Sequence, residues 1–183
     1  MAENGVRMDE AAMRATADPP EGPPAGRELN EYAGYLMQLA ARLRDKALDD
    51  ALAPLGLNAA RFRALSIVHR LQPCTMGELS FFSTVDRTTM TRVVDQLTEQ
   101  ELVQRETPPD DRRKVTLKLT PAGERLYDRG AGVIQNVNRD VYAAIGDEQL
   151  QRLTDTLTTL LATVIGDAKA LQMLLSFSRA EGG

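Results

Sequence analysis

The residues best suited to chemistry in this chain form a row of hydrogen-bond donors. Between Asp86 and Gln100, Met90, Val93, Val94 and Leu97 recur at the i, i+3, i+4, i+7 spacing of one buried helical face. The opposite face carries Arg87, Thr88, Thr91, Arg92, Asp95 and Gln96. Two guanidinium groups, two hydroxyls and an amide on one side of a helix can donate to phosphate oxygens and to base edges. Asp95 would repel phosphate there, and is expected to orient Arg92 or Arg87. A second cationic cluster follows at Asp111, Arg112, Arg113 and Lys114, just after Pro108 and Pro109. Two prolines remove backbone donors and favour a loop. Three successive cations at its bend suit a phosphate or a minor groove.

Other chemistries find no support. His69 is the one histidine and Cys74 the one cysteine, so neither a metal site nor a nucleophilic triad can be assembled. No glycine-rich phosphate loop follows a strand. The expectation is a non-enzyme without cofactor or metal. Cys74 has two readings: a thiol that senses oxidants, or a small residue at a turn, with no second cysteine in the chain to resolve a sulfenate. The lone cysteine excludes an internal disulfide framework and suits a reducing cytoplasm. No apolar run approaches a membrane span, and the first residues lack the order of a secretory signal. The net charge of −4 argues against a globally basic nucleic-acid binder. By thirds, however, residues 1–57, 58–120 and 121–183 carry −4, +2 and −2. The positive third holds both cationic clusters, and a local patch governs affinity for nucleic acid.

The elements that must position these residues follow from local signals. Asp86 is a plausible N-cap of the donor-bearing helix. Before it, Thr75-Met76-Gly77-Glu78 fits a capping box that opens a helix with Met76, Leu79 and one or both of Phe81 and Phe82 inward. Helix, short turn, helix is the arrangement whose second member enters the major groove. After Leu102 the period becomes two: Val103 and Arg105, then Val115, Leu117 and Leu119, alternate with polar residues, which predicts a two-stranded hairpin with a charged tip. Upstream, a helix over 28–53 carries Tyr32, Tyr35, Leu36, Leu39 and Leu43, and Pro54 and Gly56 end it. Asn58 caps a helix with Phe62, Leu65, Val68 and Leu71 inward, closed by Pro73. Thr120-Pro121 opens a long helix through Ile145. The last helix carries Leu150, Leu153, Leu157, Leu160, Leu161 and Val164 and is expected to continue through Leu171 and Leu174. Four prolines and two glycines within residues 19–26 predict a disordered arm.

This pattern resembles the winged helix-turn-helix of the multiple-antibiotic-resistance regulator (MarR) family. The likeness rests on Glu78-Leu79, Val85-Asp86-Arg87-Thr88-Thr89-Met90-Thr91-Arg92, Leu97, Leu102-Val103, Arg105, Asp111-Arg112-Arg113 and Leu119-Thr120-Pro121-Ala122-Gly123. The Asp-x-Arg followed by Leu-Thr-x-x-Gly is its most specific part, and the likeness spans roughly residues 29–164. It implies a mainly α fold (α+β), with N- and C-terminal helices forming a dimerisation domain. It also implies that Arg113 enters the minor groove while Asp111 holds it, with Arg112 left for phosphate. One departure concerns the end of the recognition helix: where the family has glycine in Leu-x-x-x-Gly-Leu, this chain has Glu101. A left-handed glutamate there would cost about 1 kcal/mol relative to glycine.

The expected organisation is an arm (1–27), an N-terminal dimerisation helix (28–57), a winged helix-turn-helix (58–120) and C-terminal dimerisation helices (121–183). The expected function is a dimeric transcriptional regulator, a repressor on a palindromic operator in double-stranded DNA, acting on the bacterial nucleoid in the cytoplasm. The resemblance further implies release by a small-molecule effector. Tyr32, Tyr35, Phe62, Arg63 and His69 are candidates for its pocket by helix position, and an aromatic acid or its thioester would suit them. The rival classes are a ligand-independent architectural DNA binder, a cysteine-based redox regulator, and a helical interaction protein without DNA binding.

Overall fold

The computed structural model describes residues 27–83, 85–107, 115–143 and 145–179. The chain runs α1 (Arg27–Leu52), a 3-10 turn (Ala53–Leu55), α2 (Ala59–Leu71), β1 (Cys74–Thr75), α3 (Met76–Phe82), α4 (Arg87–Glu99), β2 (Val103–Glu106), β3 (Thr116–Leu119), α5 (Pro121–Tyr142), α6 (Asp147–Ile165) and α7 (Ala168–Arg179). The expected arm and the tip of the wing, with Asp111, Arg112, Arg113 and Lys114, lie outside the described residues.

Side-chain caps set most of the helix starts. Asn58 accepts from the Arg61 N–H, Asp86 from the Thr89 N–H and Thr120 from the Gly123 N–H. Thr75 and Glu78 close a reciprocal capping box on α3. Each satisfies a donor that the first helical turn leaves free.

The sheet has three antiparallel strands in the order β1-β3-β2, one more than the expected hairpin. The added strand is a two-residue bridge, Cys74↔Leu117 and Thr75↔Thr116, too short to show any periodicity. Because β3 is central, its neighbours cover Thr116, which is 4% exposed, while Val115 just outside the strand is 44% exposed. The expected inward Val115 and outward Thr116 are therefore reversed. The Thr116 hydroxyl donates to the Glu106 carbonyl.

One core joins these layers. Leu52 of α1, Leu65, Ile67 and Val68 of α2, Leu79 of α3, Met90, Val94 and Leu97 of α4, Val103 of β2 and Leu117 of β3 are essentially inaccessible. Of the α3 aromatics, Phe82 packs on this core while Phe81 faces outward. Helix α2 is central: it packs against α1, α3, α4, α5, β1 and β3. Two glycines let α5 approach. A Cβ on Gly123 would lie 2.0 Å from the Leu102 carbonyl oxygen, and one on Gly130 would meet the Phe62 ring at 2.6 Å.

The C-terminal segment is two helices, not the single long one expected. Gly166 takes φ 65° and its N–H closes α6 on the Ala162 carbonyl, the left-handed cap that glycine permits without steric cost. Asp167 then accepts from the Lys169 and Ala170 N–H groups to start α7. Helix α5 likewise stops at Tyr142, short of the expected Ile145. No described helix is long and apolar enough to cross a membrane.

Candidate nucleic-acid interface

Helix α4 buries Met90, Val93, Val94 and Leu97 and exposes Arg87, Thr88, Thr91, Arg92 and Gln96. The polar face is thus free because the apolar stripe holds the helix to α2, α3 and β2. The donors are unequal. The Thr91 hydroxyl is turned back to the Arg87 carbonyl at 2.9 Å, whereas Arg87 and Arg92 have no partner among the described residues.

At the start of α4, Asp86 accepts from both the N–H (2.9 Å) and the hydroxyl (2.6 Å) of Thr89. Those bonds hold its carboxyl below the usual carboxylate range. The cap therefore remains ionised at neutral pH and fixes the first turn of α4, in which Arg87 stands.

Asp95 does not orient Arg87 or Arg92 as expected. It pairs with Arg105 of β2 at 2.5 Å. Helix α4 packs against β2, and Arg105 is on the exposed side of that strand, within reach of Asp95. The pair ties wing to recognition helix and leaves the two helix arginines uncommitted. On the next strand Lys118 pairs with Glu106 at 2.6 Å, so the base of the wing is charge-neutralised.

The far end of α4 carries the departure at Glu101. Glu101 adopts φ 56°. Its N–H bonds to the Thr98 carbonyl and the Leu102 N–H to the Leu97 carbonyl. This is a Schellman motif with glutamate in the left-handed position. The Thr120 hydroxyl donates to the Glu101 carbonyl at 2.7 Å, and the Thr120 N–H to the Leu102 carbonyl at 3.1 Å. The turn is thereby fastened to the start of α5, which holds Glu101 in a conformation that favours glycine.

The residues expected around an effector are dispersed. Phe62 is in the core and stacks on Tyr127 at 5.8 Å, and His69 stacks on the same ring at 4.0 Å. Arg63 pairs with Asp45 at 3.7 Å. Tyr32 and Tyr35 stand outward on α1, 39% and 58% exposed. Tyr127, which joins Phe62 to His69, is not among the expected pocket residues; its place in the α5 stripe, one residue after Leu126, is the only sequence signal for it. His69 Nδ1 lies 2.6 Å from Glu124, whose other oxygen accepts from Gln72 at 2.7 Å. Desolvation raises the Glu124 pKa, but the bonds from Gln72 and His69 and the histidine's charge outweigh it, and the net shift is downward.

Cys74 is fully buried in β1. Burial first, and then the Glu78 carboxylate, push its thiol up to about 12. A thiol held protonated and inaccessible is the opposite of an oxidant sensor's. Among the described residues no group of three or more His, Cys, Asp or Glu could hold a metal ion.

The sequence model described as "MarR family" matches residues 57–115, which span α2 to the wing. The multiple antibiotic resistance protein MarR of Escherichia coli is 29% identical over 125 residues, covering 68% of this chain and 79% of that protein. The crystal structure of a cysteine-to-serine mutant of that MarR complexed with operator DNA superimposes with a TM-score of 0.64 at 28% identity, over 70% of this chain and 92% of that one. A MarR-family transcriptional regulator from Silicibacter pomeroyi is 31% identical with a TM-score of 0.62, covering 73% of this chain and 90% of that one. CouR from Rhodococcus jostii, solved with p-coumaroyl-CoA bound, has a TM-score of 0.64 at 24% identity, over 74% of this chain and 95% of that one. At that identity the likeness to CouR speaks for the fold.

Proposed function

This chain belongs to the MarR family of winged-helix transcriptional regulators, and on that premise we propose that it is a homodimeric repressor which a small molecule releases from a palindromic operator. The observation that carries the reading is the division of α4: its apolar stripe is buried, and Arg87, Thr88, Thr91, Arg92 and Gln96 are all outward. Two such helices related by a twofold axis would enter successive major grooves, with half-site centres about 10 bp apart. The wing, through Asp111, Arg112, Arg113 and Lys114, adds minor-groove and phosphate contacts. Residues 58–120 serve as the DNA-binding unit, 28–57 and 121–183 as the dimerisation unit, and residues 1–27 as an arm. Its place is the bacterial nucleoid, in the cytoplasm, and its role is binding and not catalysis.

Arg87 sits in the first turn of α4, where free backbone N–H groups already favour phosphate. Arg92 lies one turn further in and is assigned to base reading or positioning. An aromatic acid or its thioester is the proposed effector class, the class to which CouR's p-coumaroyl-CoA belongs. Of the candidate residues Tyr32, Tyr35, Phe62, Arg63 and His69, Phe62 and His69 meet on Tyr127 of α5, and that contact is the support for an effector region there.

The test compares operator with random DNA after alanine substitution. Arg92→Ala is expected to reduce discrimination by about 1–3 kcal/mol. Arg87→Ala is expected to weaken both DNAs alike and to lower the salt slope by about one unit. Arg113→Ala should weaken operator binding by about 1–3 kcal/mol, more so with A·T-rich flanks. Unchanged affinities in all three variants would remove α4 and the wing from the mechanism.

A further inference from the structure

A cleft of about 320 Å³ lies apart from the residues assigned to DNA and effector contact, lined by Leu102, Ala122, Arg125, Leu126 and Arg129. It opens where the first turns of α5 meet the turn that ends α4. Gly123 sets this meeting, since α5 approaches the Leu102 carbonyl more closely than a Cβ would allow. Leu102 and Leu126 are half-buried and form an apolar floor.

Arg125 and Arg129 stand four residues apart on α5, the spacing that brings helix side chains together. Both are exposed, and neither has an ion-pair or hydrogen-bond partner among the described residues. Carboxylates are near in sequence, yet none neutralises the pair. Glu124 is held by His69 and Gln72, and Glu101 and Asp128 form no ion pair with either arginine. Two like charges one turn apart are mutually destabilising, and an anion between them would remove that cost. Planar guanidinium forks suit a carboxylate in particular.

We propose that this cleft is a binding site for a compact apolar carboxylate, its acid group between Arg125 and Arg129 and its body on Leu102 and Leu126. The volume is at the lower end of small-molecule sites, which begin near roughly 300 Å³. DNA phosphate is the competing occupant, but the position disfavours it. The cleft adjoins the C-terminal end of α4, and that helix of 13 residues is about 20 Å long at ~1.5 Å per residue. The N-terminal residues of a recognition helix are the ones that reach the bases. A ligand here would touch both α5 and the turn carrying Glu101. The site goes beyond the effector region proposed above and does not depend on operator release.

The test is calorimetric titration of the full chain with cyclohexanecarboxylate, which is not aromatic and so is set apart from the effector class above, and with cyclohexylmethanol as its uncharged counterpart. The carboxylate is expected to bind saturably, one per chain, and the alcohol at least roughly tenfold more weakly, because the charge-assisted bonds are lost. The Arg125→Gln/Arg129→Gln variant, checked for an unchanged melting temperature, should lose cyclohexanecarboxylate binding by a similar factor and keep its operator affinity. Saturable binding that survives in the variant, or no saturation with the parent protein at millimolar cyclohexanecarboxylate, would overturn the assignment. So would loss of operator affinity in the variant without the carboxylate present, which would make the arginines a phosphate contact. Binding that leaves the operator complex intact upholds the site and counts only against effector release through it.

Discussion

Cys74 shows how far a single environment governs reactivity. Its thiol is buried and raised to about 12, so at pH 8 it should react with a disulfide reagent only as fast as the protein opens, and fully only in denaturant. Rapid stoichiometric labelling of the native protein would restore the sensor reading. The same shift has a thermodynamic sign. The native thiol keeps its proton where the unfolded one, near 8.5–9, has lost it. The unfolded state then binds fewer protons, so stability falls with rising pH between about 9 and 12. Cys74→Ala should flatten that alkaline slope in pH-dependent chemical denaturation, whatever its effect at pH 7. Glu101 offers a test of opposite direction. It holds φ 56°, and its side chain makes no hydrogen bond or ion pair among the described residues, so Glu101→Gly should stabilise by about 0.5–1 kcal/mol in urea unfolding. A destabilised variant would mean that the Glu101 side chain makes a contact worth more than the backbone strain.

At the scale of elements, caps and stripes were legible and tertiary choices were not. Asn58, Thr75 with Glu78, Asp86 and Thr120 all act as the caps expected of them, because a cap is decided within four residues. The buried stripe of α4 was legible for the same reason. The partner of Asp95 was not, since Arg105 lies on another element and only the fold brings it within reach. Strand β1 was illegible because its two residues gain their role from β3. The helix end at Gly166 is masked in the sequence because a leucine pattern continues beyond it, although the left-handed cap outweighs that pattern. For the site, the exposed row on α4 was readable from periodicity, while the Phe62–Tyr127–His69 stack was not. The junction of α5 with the recognition-helix turn gives a sharp contrast. Gly123→Ala places a methyl 2.0 Å from the Leu102 oxygen and should cost about 1–3 kcal/mol or more, as overpacking does. Gly132→Ala, on the same helix with nothing within 4 Å, should instead stabilise by about 0.5–1 kcal/mol. Equal effects of the two changes in thermal unfolding would mean that α5 is free to slide on the turn.

At the scale of the whole molecule, two of the described helices, α1 and α6, present apolar rows to solvent. Helix α6 buries none of its residues: Leu153, Leu157, Leu160 and Leu161 are 37–42% exposed and Val164 74%. Helix α1 adds Leu29, Tyr35, Leu36, Met37 and Leu43, all 40–58% exposed. Single exposed leucines are ordinary, but rows of them at helical spacing on two helices mark an interaction surface. The core beneath α4 and the sheet is complete without these rows, so their removal should leave each head folded. A second copy is the economical cover, since a twofold axis would give both ends of both chains the same solution. Such a dimer also explains how one helix with two free arginines could hold an operator, because the second head binds at an effective concentration set by the first. The decisive variant is Leu157→Asp/Leu161→Asp, which places charge on the row without touching the described core. It should sediment as a monomer at low micromolar concentration, where the parent is expected to sediment as a dimer. Its operator affinity should fall by roughly 10²–10⁴-fold through loss of the linked second head, while its binding to an isolated half-site stays at the parent's level. A variant that remains dimeric would move the interface off α6. A monomer with undiminished operator affinity would separate dimerisation from DNA recognition.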